Sequence, residues 1–252
     1  MPSFSCLGRL RNISDSVRLR FQGLPPDMIE VSPFQFRNAM PQDVEAAVPL
    51  INSSGTRAID YGFLPLPKTS CDFLRFAFIH GKGFLGHENH TVALIQGRVV
   101  GIAAFYNFAG YARLTLEHLW QLWRFYPASS FTGLVNRGVH LKSVMPPPGQ
   151  SVHYVANFGV NPDFRGIGIG TGLLDHQCSL GLALGRNQYA LDVSVDNPRA
   201  QALYNRYGFT AHAENQFSGP LGVVPNTLRM TMPLKRRVDQ KAFKSHPQSE
   251  PI

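Results

Sequence analysis

The segment that decides the fold runs from Val160 to Thr171, with the sequence Val-Asn-Pro-Asp-Phe-Arg-Gly-Ile-Gly-Ile-Gly-Thr. An apolar strand ends at Val160, a short loop follows, and an apolar helical pattern begins among the glycines. Backbone N–H groups at a helix start have no partner within the helix, and glycines let a ligand approach them closely. We therefore expect this segment to bind an anion of the pyrophosphate type.

Other nucleotide-binding loops fail on spacing in this segment. A Walker loop ends in Gly-Lys-Ser/Thr, and the segment contains no lysine. The dinucleotide pattern G-x-G-x-x-G needs a third glycine, but that position is Thr171 when counted from Gly166 and Leu173 when counted from Gly168. The pattern that fits is R-x-x-G-x-G, which begins at Arg165. Because glycine-rich helix starts also serve packing, this motif alone does not decide the function.

A second motif lies one helix and one strand later, from Asn197 to Phe209. It matches the pattern N-x-x-A-x-x-L-Y-x-x-x-G-F and follows the apolar strand predicted for Tyr189–Val195. Asn197 suits a helix N-cap and Gly208 suits a helix end, so the residues of the motif are consistent with one helix. With both motifs in this order and at this spacing, the chain resembles the GNAT superfamily of acyl-CoA-dependent N-acetyltransferases.

The resemblance implies acetyl-CoA as cosubstrate, no metal, and direct attack of an amine on the thioester. The pantetheine arm would fill a gap between the fourth and fifth strands, where Gly159 fits a bulge or the close approach of another backbone. Tyr204 is implied as the catalytic residue that donates a proton to the departing thiolate. The implied cofactor-binding residues are Phe158, Gly159, Val160, Arg165, Gly166, Ile167, Gly168, Ile169, Gly170, Thr171 and Asn197.

The general base is left open by the sequence. Related enzymes usually place a carboxylate on or near the fourth strand, whereas the strand predicted for His153–Val160 contains no acid. Deprotonation of an amine like that of lysine, with a pKa of about 10.4, costs about 5 kcal/mol at pH 7. The candidates that would offset this cost are His153, Glu117, Glu88 and an ordered water.

The resemblance and the strand pattern together predict an α/β (α+β) fold, in which helices flank a mixed, strongly twisted central sheet. We expect an N-terminal extension (1–32), one acetyltransferase domain (33–233) and a basic, disordered tail (234–252). A helical insertion (107–150) is predicted between the third and fourth strands, where related enzymes usually have a short turn. Within the domain, Pro49 is expected to end or kink the first helix.

The insertion contains an apolar stripe, which we expect to determine how its helix packs. Leu116, Leu119, Trp120 and Trp123 follow the i, i+3, i+4 and i+7 spacing of one helix face. The aromatic segment 120–126 overlaps this stripe, and core packing is its leading interpretation because helix-spaced aromatic residues usually face a core. Contact with a membrane, an acceptor pocket and a dimer interface are the alternatives. Because the insertion replaces a short turn, it is expected to shape the choice of acceptor.

The charge balance suits an anionic ligand. The 252 residues carry 24 Lys and Arg against 16 Asp and Glu, a formal net charge of +8. This excess fits a phosphorylated cofactor, and it also leaves nucleic acid as a rival partner. The basic tail has no interleaved aromatic residues, so nucleic-acid binding is not expected. The expected partner is an amine acceptor, either a small molecule or a protein, and a homodimer is left open.

The cysteines and the hydrophobic runs predict a cytoplasmic location. Cys6, Cys71 and Cys178 are far apart and form no even framework, which favours a reducing compartment. No run approaches the ~18 apolar residues of a membrane span. The arginines of the N-terminal extension leave a targeting role open. The principal functional alternative is a non-catalytic acyl-CoA-binding sensor or interaction module on the same fold.

Overall fold

Seven strands form one mixed sheet in the computed structural model, which describes residues 34–63 and 68–234. The order across the sheet is β1-β2-β3-β4-β5-β7-β6; β4 and β5 are parallel, and the other neighbours are antiparallel. The strands are β1 (Gln35–Asn38), β2 (His90–Ile95), β3 (Arg98–Tyr106), β4 (Val152–Val160), β5 (Gln188–Ser194), β6 (Thr210–Asn215) and β7 (Thr227–Pro233).

Helices flank this sheet on both faces, which confirms the predicted fold class. The helices are α1 (Val44–Ser54), α2 (Thr56–Phe63), α3 (Ser70–Ile79), α4 (Phe108–Phe125), α5 (Ala128–Val144), α6 (Ile169–Ala183) and α7 (Pro198–Tyr207). The pair α4 and α5 forms the helical insertion between β3 and β4, as the sequence predicts. The predicted extension (1–32) and all but the first residue of the predicted tail lie outside the described residues.

Neighbouring residues of β3 show how α1 and α6 take opposite faces of the sheet. Ile102 is fully buried in the cluster that contains α1 and α3. A side chain on Gly101 would meet Ile169 and Leu173 of α6 instead. Since successive strand residues point to opposite faces, the two helices sandwich the centre of the sheet. This arrangement holds β4, the strand of the predicted cofactor gap, between two helices.

The sequence predicts that Pro49 ends or kinks α1, and the first of these two alternatives is wrong. The helix continues through Pro49 to Ser54. Near its end, the Ser53 hydroxyl donates to the Leu50 carbonyl at 2.8 Å, and the Ser54 hydroxyl to the Ile51 carbonyl at 2.7 Å. Leu50 and Ile51 are buried against the sheet. This packing offsets the hydrogen bond that proline removes from the helix.

Core packing of the aromatic segment 120–126 is wrong for Trp120 and Trp123 but right for Phe125 and Tyr126, which pack in the core. Leu116, Trp120 and Trp123 are 70%, 50% and 60% exposed, whereas Leu119 packs against the core. The face of α4 that turns inward carries Leu114 and other buried residues, Gln121 and Leu122. Gln121 donates a hydrogen bond from its Nε2 atom to the Lys82 carbonyl at 2.8 Å, which satisfies its buried amide nitrogen. Tertiary contacts, not the widest apolar stripe, therefore set the rotation of this helix.

The cysteines depart from the sequence prediction as well. Cys178 is buried and forms no disulfide bond, as expected for a reduced protein. Cys71 is disulfide-bonded, and the spacing of the cysteines did not predict this bond. The cysteine argument for a reducing compartment therefore loses its support. Among the described residues, no helix has the length and apolar character needed to cross a membrane.

Candidate active site

The site is centred on the place where β4 and β5 separate. The two strands pair from Val152 opposite Gln188 only as far as Val155 opposite Leu191, although both continue beyond that point. The register of β4 against β3 shifts between the Ala156 and Gly159 pairs, which marks a β-bulge. The edge of β4 that faces β5 therefore has no strand partner beyond Val155, and its peptide groups are available to a ligand.

The bulge is built by Asn157, and this position was missed by sequence reasoning. Asn157 has a φ of 50°, one of two positive values among the described non-glycine residues. Its Nδ2 atom donates to the Phe84 carbonyl at 3.0 Å and lies 3.1 Å from Nε2 of His90. These contacts hold a backbone conformation that costs a non-glycine residue about 1 kcal/mol or more. Asparagine is the side chain most tolerant of this conformation after glycine.

Gly159 provides the close backbone approach rather than the bulge. A Cβ atom at this position would collide with the carbonyl group of Leu50 in α1. The sequence left these two explanations open, and the structure assigns the close approach to Gly159 and the bulge to Asn157. The missing side chain lets α1 press directly against β4, so the helix fixes the bulged strand from behind.

A cavity of about 930 Å³ occupies the gap between the strands and extends under the insertion. Ten of the eleven predicted cofactor-binding residues line it, together with Tyr204. The exception is Ile167, which is 37% exposed and does not line the cavity. We call the cavity-lining residues of 156–171 and 197–207 the cofactor wall. Two motifs that are separate in the sequence thus form one continuous surface.

The glycine loop presents free amides to the cavity. Gly166 and Gly168 have φ values of 85° and 98°, a conformation that side chains disfavour. Helix α6 begins directly after them, at Ile169. Within the described residues, the amides of Ile169, Gly170 and Thr171 donate to no acceptor. Free amides at the positive end of a helix dipole, at a wall without side chains, fit a diphosphate.

Three arginines make the cofactor wall electropositive. Arg165, Arg199 and Arg206 line the cavity, and no carboxylate within the described residues forms an ion pair with them. Burial, with a further contribution from the charge of Arg199, lowers the pKa of Arg165, whose Nε atom donates to the Val160 carbonyl at 3.0 Å. Arginine remains charged under such a shift, so this wall attracts phosphate groups.

Asn197 and Tyr204 are placed by the same helix, α7. The Oδ1 atom of Asn197 accepts from the Ala200 amide at 3.1 Å and caps the helix, as the sequence predicts. Tyr204 is buried between Phe158 and Phe209, with ring centroids 5.9 and 5.7 Å away. Burial raises the pKa of Tyr204, so its phenol stays protonated at neutral pH. The Tyr204 hydroxyl has no hydrogen-bond partner within the described part of the chain.

The structure does not bring His153 to the cavity. Its Nε2 atom lies 3.2 Å from Oε1 of Gln177 in α6, and its ring stacks on Phe105 with centroids 5.5 Å apart. Burial lowers the pKa of His153. The side chain therefore fills the space between β4 and α6, on the far side of the strand from the gap. Its role is core packing with a satisfied hydrogen bond.

The two glutamates proposed as bases are also outside the cavity. Oε2 of Glu117 accepts from the Gly83 amide at 2.9 Å, so this carboxylate fixes the loop before β2. Glu88 is exposed and lies beside Gly81, in the same loop. None of the three side chains named as candidate bases lines the cavity. Of the four candidate general bases that the sequence leaves open, an ordered water is the one that these positions do not place outside the cavity.

A second surface, which we call the acceptor wall, faces the cofactor wall across the cavity. It consists of the cavity-lining residues of α2, α4 and α5 together with Phe84, and it is mostly apolar. Sequence reasoning expected the insertion to contribute here but did not identify α2 or the lining residues. Its apolar members include Phe63, Phe84, Leu119, Leu122 and Leu134.

His118 is the acceptor-wall residue with an unusual environment. Its ring lies 5.6 and 5.8 Å from those of Phe63 and Phe84, in edge-on contacts. The Nδ1 atom is buried without a hydrogen-bond partner, although the residue as a whole is partly exposed. Burial lowers the pKa of His118 to about 4, so its imidazole is neutral at physiological pH. The i, i+4, i+8 spacing of Leu114, His118 and Leu122 could have revealed this position.

Asp192 is the one carboxylate among the described residues that line the cavity, and its oxygens are fully engaged. Arg229 donates to both oxygens at 2.8 Å, the Tyr154 hydroxyl donates to Oδ2 at 2.7 Å, and Asn215 donates to Oδ1 at 2.9 Å. Burial raises the pKa of Asp192 above its usual value, and these donors oppose the shift. Such a carboxylate positions Tyr154 and Arg229 and has no lone pair directed at an amine.

The described residues contain no group of three or more histidine, cysteine or acidic side chains arranged to hold a metal ion. The ring nitrogens of the loop histidines serve other contacts. Nδ1 of His87 lies 2.8 Å from the Phe78 carbonyl, and Nδ1 of His90 lies 2.7 Å from the Gly86 carbonyl. These histidines therefore organise the loop that precedes β2.

Solved structures of acetyltransferases share this fold. A crystal structure described as an acetyltransferase has a TM-score of 0.54 and 21% sequence identity, and the match covers 80% of this chain and all of that one. An N-acetyltransferase from Staphylococcus aureus Mu50 has a TM-score of 0.58 and 16% identity, covering 79% of this chain and all of that one. At these identities the likeness concerns the fold alone.

Sequence comparison agrees with the architecture. A mycothiol acetyltransferase from Geodermatophilus obscurus is 40% identical over 83 residues, which are 30% of this chain and 26% of that protein. The match thus spans about a quarter of the length of the curated relative. The sequence model of the acetyltransferase (GNAT) family matches residues 61–209, which are more than half of the 252 residues. The chain therefore belongs to this family.

Proposed function

We propose that the protein transfers an acetyl group from acetyl-CoA to a primary amine, by direct attack in a ternary complex. The observation that carries the proposal is the meeting of three features in one cavity. These features are the free amides of α6, the unpaired edge of β4 and the unpartnered hydroxyl of Tyr204. Membership of the family supports an acyl-CoA-dependent acetyltransferase in general.

The cofactor wall fits a molecule that is a peptide-like arm at one end and a diphosphate at the other. The edge of β4 beyond Val155 offers unpaired peptide groups to the arm. The amides of Ile169, Gly170 and Thr171, with the charge of Arg165, would hold the diphosphate. Asn197, already a helix cap, lies where it can also contact the arm. When bound, acetyl-CoA supplies the thioester carbonyl and a thiol leaving group.

The reactive amine is proposed to enter the cavity in its neutral form. Transfer of its proton to His118, whose pKa is about 4, would be uphill by about 6 pK units, or about 9 kcal/mol, for an amine of pKa 10.4. Binding only the neutral fraction at pH 7 costs about 5 kcal/mol. Binding of the neutral amine is therefore favoured over proton transfer to His118. An apolar acceptor wall favours it further, because such a surface disfavours the charged form of the amine. His118 then accepts or donates a hydrogen bond and does not act as a strong base.

Tyr204 would stabilise the leaving thiolate. Because burial raises its pKa, the phenol keeps its proton across the neutral range and acts as a hydrogen-bond donor. Its hydroxyl has no hydrogen-bond partner among the residues that the structure describes, so the donor is free for a ligand. The proton lost by the amine would reach the thiolate through this hydroxyl or through water.

The main alternative is a sensor that binds acyl-CoA without turning it over. Both functions require the cofactor wall, but a sensor has no need of a free hydroxyl beside the strand gap. The test is release of free thiol from acetyl-CoA in the presence of a panel of amines, with stabilisation by coenzyme A measured in parallel. Thiol release that depends on an amine supports the transferase. Stabilisation by coenzyme A with no thiol release from any amine would establish the sensor.

A further inference from the structure

We infer that the acceptor is a primary amine carried on an aromatic or aliphatic body that has no second positive charge. The inference rests on the proposed function and specifies its substrate class. It excludes polyamines and lysine-rich peptides as the preferred acceptors. The observations that carry it are the composition of the acceptor wall, the engagement of Asp192 and the distribution of cations around the cavity.

The acceptor wall offers an apolar surface on three sides. Phe63 comes from α2, Leu119 and Leu122 come from α4, and Leu134 and Val135 come from α5. Leu122 and Leu134 are buried in the same core cluster, so these side chains are fixed by packing. A rigid apolar surface favours ligands that bury hydrocarbon, because removal of apolar area from water drives binding.

A second ammonium group would find no partner in this cavity. Asp192 is the one carboxylate among the described lining residues, and Arg229, Tyr154 and Asn215 occupy its oxygens. A buried cation without a counter-charge is strongly disfavoured. Over the described part of the chain, the walls thus lack the acidic side chains with which a protein would recognise a polycation.

The positively charged side chains around the cavity also disfavour an acceptor that carries a second positive charge. Arg165, Arg199 and Arg206 lie on the cofactor wall, and Lys142 lines the cavity from the exposed end of α5. No ion pair neutralises these four side chains within the described residues. Their field attracts the anionic cosubstrate and repels an acceptor that carries several positive charges.

Gly138 of α5 allows a test that changes the shape of the acceptor wall alone. It lines the cavity, and a Cβ atom built on it meets no atom within 4 Å. Gly138→Leu therefore places a side chain into open space without a clash. Gly133 lies in the same helix with equally open surroundings, but it does not line the cavity. Gly133→Leu is thus a matched control for the effect of leucine on the helix.

The experiment compares 2-phenylethylamine with spermidine as acceptors. We expect kcat/KM for 2-phenylethylamine to exceed that for spermidine by about 100-fold or more. In a binding measurement without turnover, the complex with coenzyme A should bind 2-phenylethylamine, and Gly138→Leu should weaken this binding about 10-fold. Gly133→Leu should leave it unchanged. Stabilisation by coenzyme A should be equal in all three proteins.

Three results would overturn the inference while the proposed function stands. The first is thiol release with spermidine that equals or exceeds thiol release with 2-phenylethylamine. The second is a protein that coenzyme A stabilises but that does not bind 2-phenylethylamine. The third is an equal effect of the two leucine substitutions on the binding of 2-phenylethylamine. A protein that coenzyme A does not stabilise, and that releases thiol with neither amine, would instead refute the proposed function itself. The two failures are therefore distinguishable.

Discussion

The two walls of the cavity differ both in chemistry and in the way that the chain builds them. The cofactor wall uses backbone amides, glycines and arginines from two compact segments, 156–171 and 197–207. The acceptor wall uses apolar side chains from α2, which precedes β2, and from the consecutive helices α4 and α5, which follow β3. One wall would hold charge through the main chain, whereas the other would hold hydrocarbon through packed side chains.

This difference has a consequence for specificity. A wall made of main-chain amides requires only that the backbone take one conformation, so few side chains determine what it binds. A wall made of packed side chains changes its shape whenever one of them changes volume. Substitutions on the first wall should therefore affect the binding of the cosubstrate as a whole. Substitutions on the second wall should change the choice of acceptor.

The largest expected effect comes from Gly168→Asp, which would place a side chain beside the main-chain amides of the cofactor wall. The carboxylate would lie at the start of α6, next to the amides proposed to hold the diphosphate. Like charges would repel there, and the φ of 98° would be strained. We expect the affinity for coenzyme A, measured by calorimetry, to fall by more than about 100-fold.

Gly185→Asp is the matched control for this substitution. Gly185 follows the other end of α6 with a φ of 69°, and a Cβ atom on it meets nothing within 4 Å, whereas a Cβ atom on Gly168 would make an ordinary contact with Phe34 at 3.8 Å. The backbone strain is thus similar, but the residue does not line the cavity. An equal loss of affinity in both variants would mean that the strain, and not the anion site, explains the first result.

The second prediction concerns the pH dependence of kcat/KM. If the amine binds in its neutral form and no residue of the acceptor wall acts as a strong base, the rate follows the neutral fraction of the amine. For an amine with a pKa near 10, kcat/KM should rise about 10-fold per pH unit, or about 100-fold from pH 6.5 to 8.5. A plateau within that range would reveal an enzyme base that titrates near neutrality and would contradict the proposed chemistry of this wall.

Much of the cofactor wall could be predicted from the sequence because its function depends on local features. A strand end, positive-φ glycines such as Gly168 and a helix start are encoded within a dozen residues. The bulge could not be predicted because it depends on tertiary contacts. Asn157 is held in place by the Phe84 carbonyl and His90, which are distant in the sequence. Ile167 was included because it lies in the motif, yet it does not line the cavity.

The acceptor wall could not be predicted because burial on a helix depends on its neighbours. Trp120 and Trp123 suit a core by composition, yet they are exposed because α4 presents the face of Leu114 and Leu122 to the protein. Helix α2 is amphipathic but only eight residues long, and its position is fixed by contacts with α3 and α5. Long-range packing of this kind leaves little trace in one sequence.

Tyr204→Phe tests whether the cofactor wall takes part in the chemistry. We expect kcat to fall about 30-fold, the effect of losing one hydrogen bond to a charged group, with little change in the affinity for coenzyme A. The stability should not fall, because the hydroxyl has no partner within the described residues. Tyr189→Phe is the contrasting control. It removes a hydrogen bond to the Leu174 carbonyl away from the cavity, so it should lower stability and leave kcat unchanged.

His118→Phe has the smallest expected effect and separates two roles of the acceptor wall. The buried Nδ1 atom has no partner, so its removal should stabilise the fold by about 1 kcal/mol. Loss of the imidazole from the acceptor wall should lower kcat/KM about 5-fold. His176→Phe, at a half-buried histidine outside the cavity, should leave kcat/KM unchanged.

The pH dependence of stability gives an independent check on His118. Its pKa is lowered from 6.5 to about 4 in the folded protein, so the unfolded chain takes up a proton at pH values where the folded protein does not. The native protein is therefore destabilised as the pH falls from about 6.5 towards 4, and His118→Phe removes this contribution. The stability advantage of the variant, measured by denaturant unfolding, should grow over that window. An advantage that stays constant with pH would show that the imidazole is solvated, and its nitrogens would then need no ligand to satisfy them.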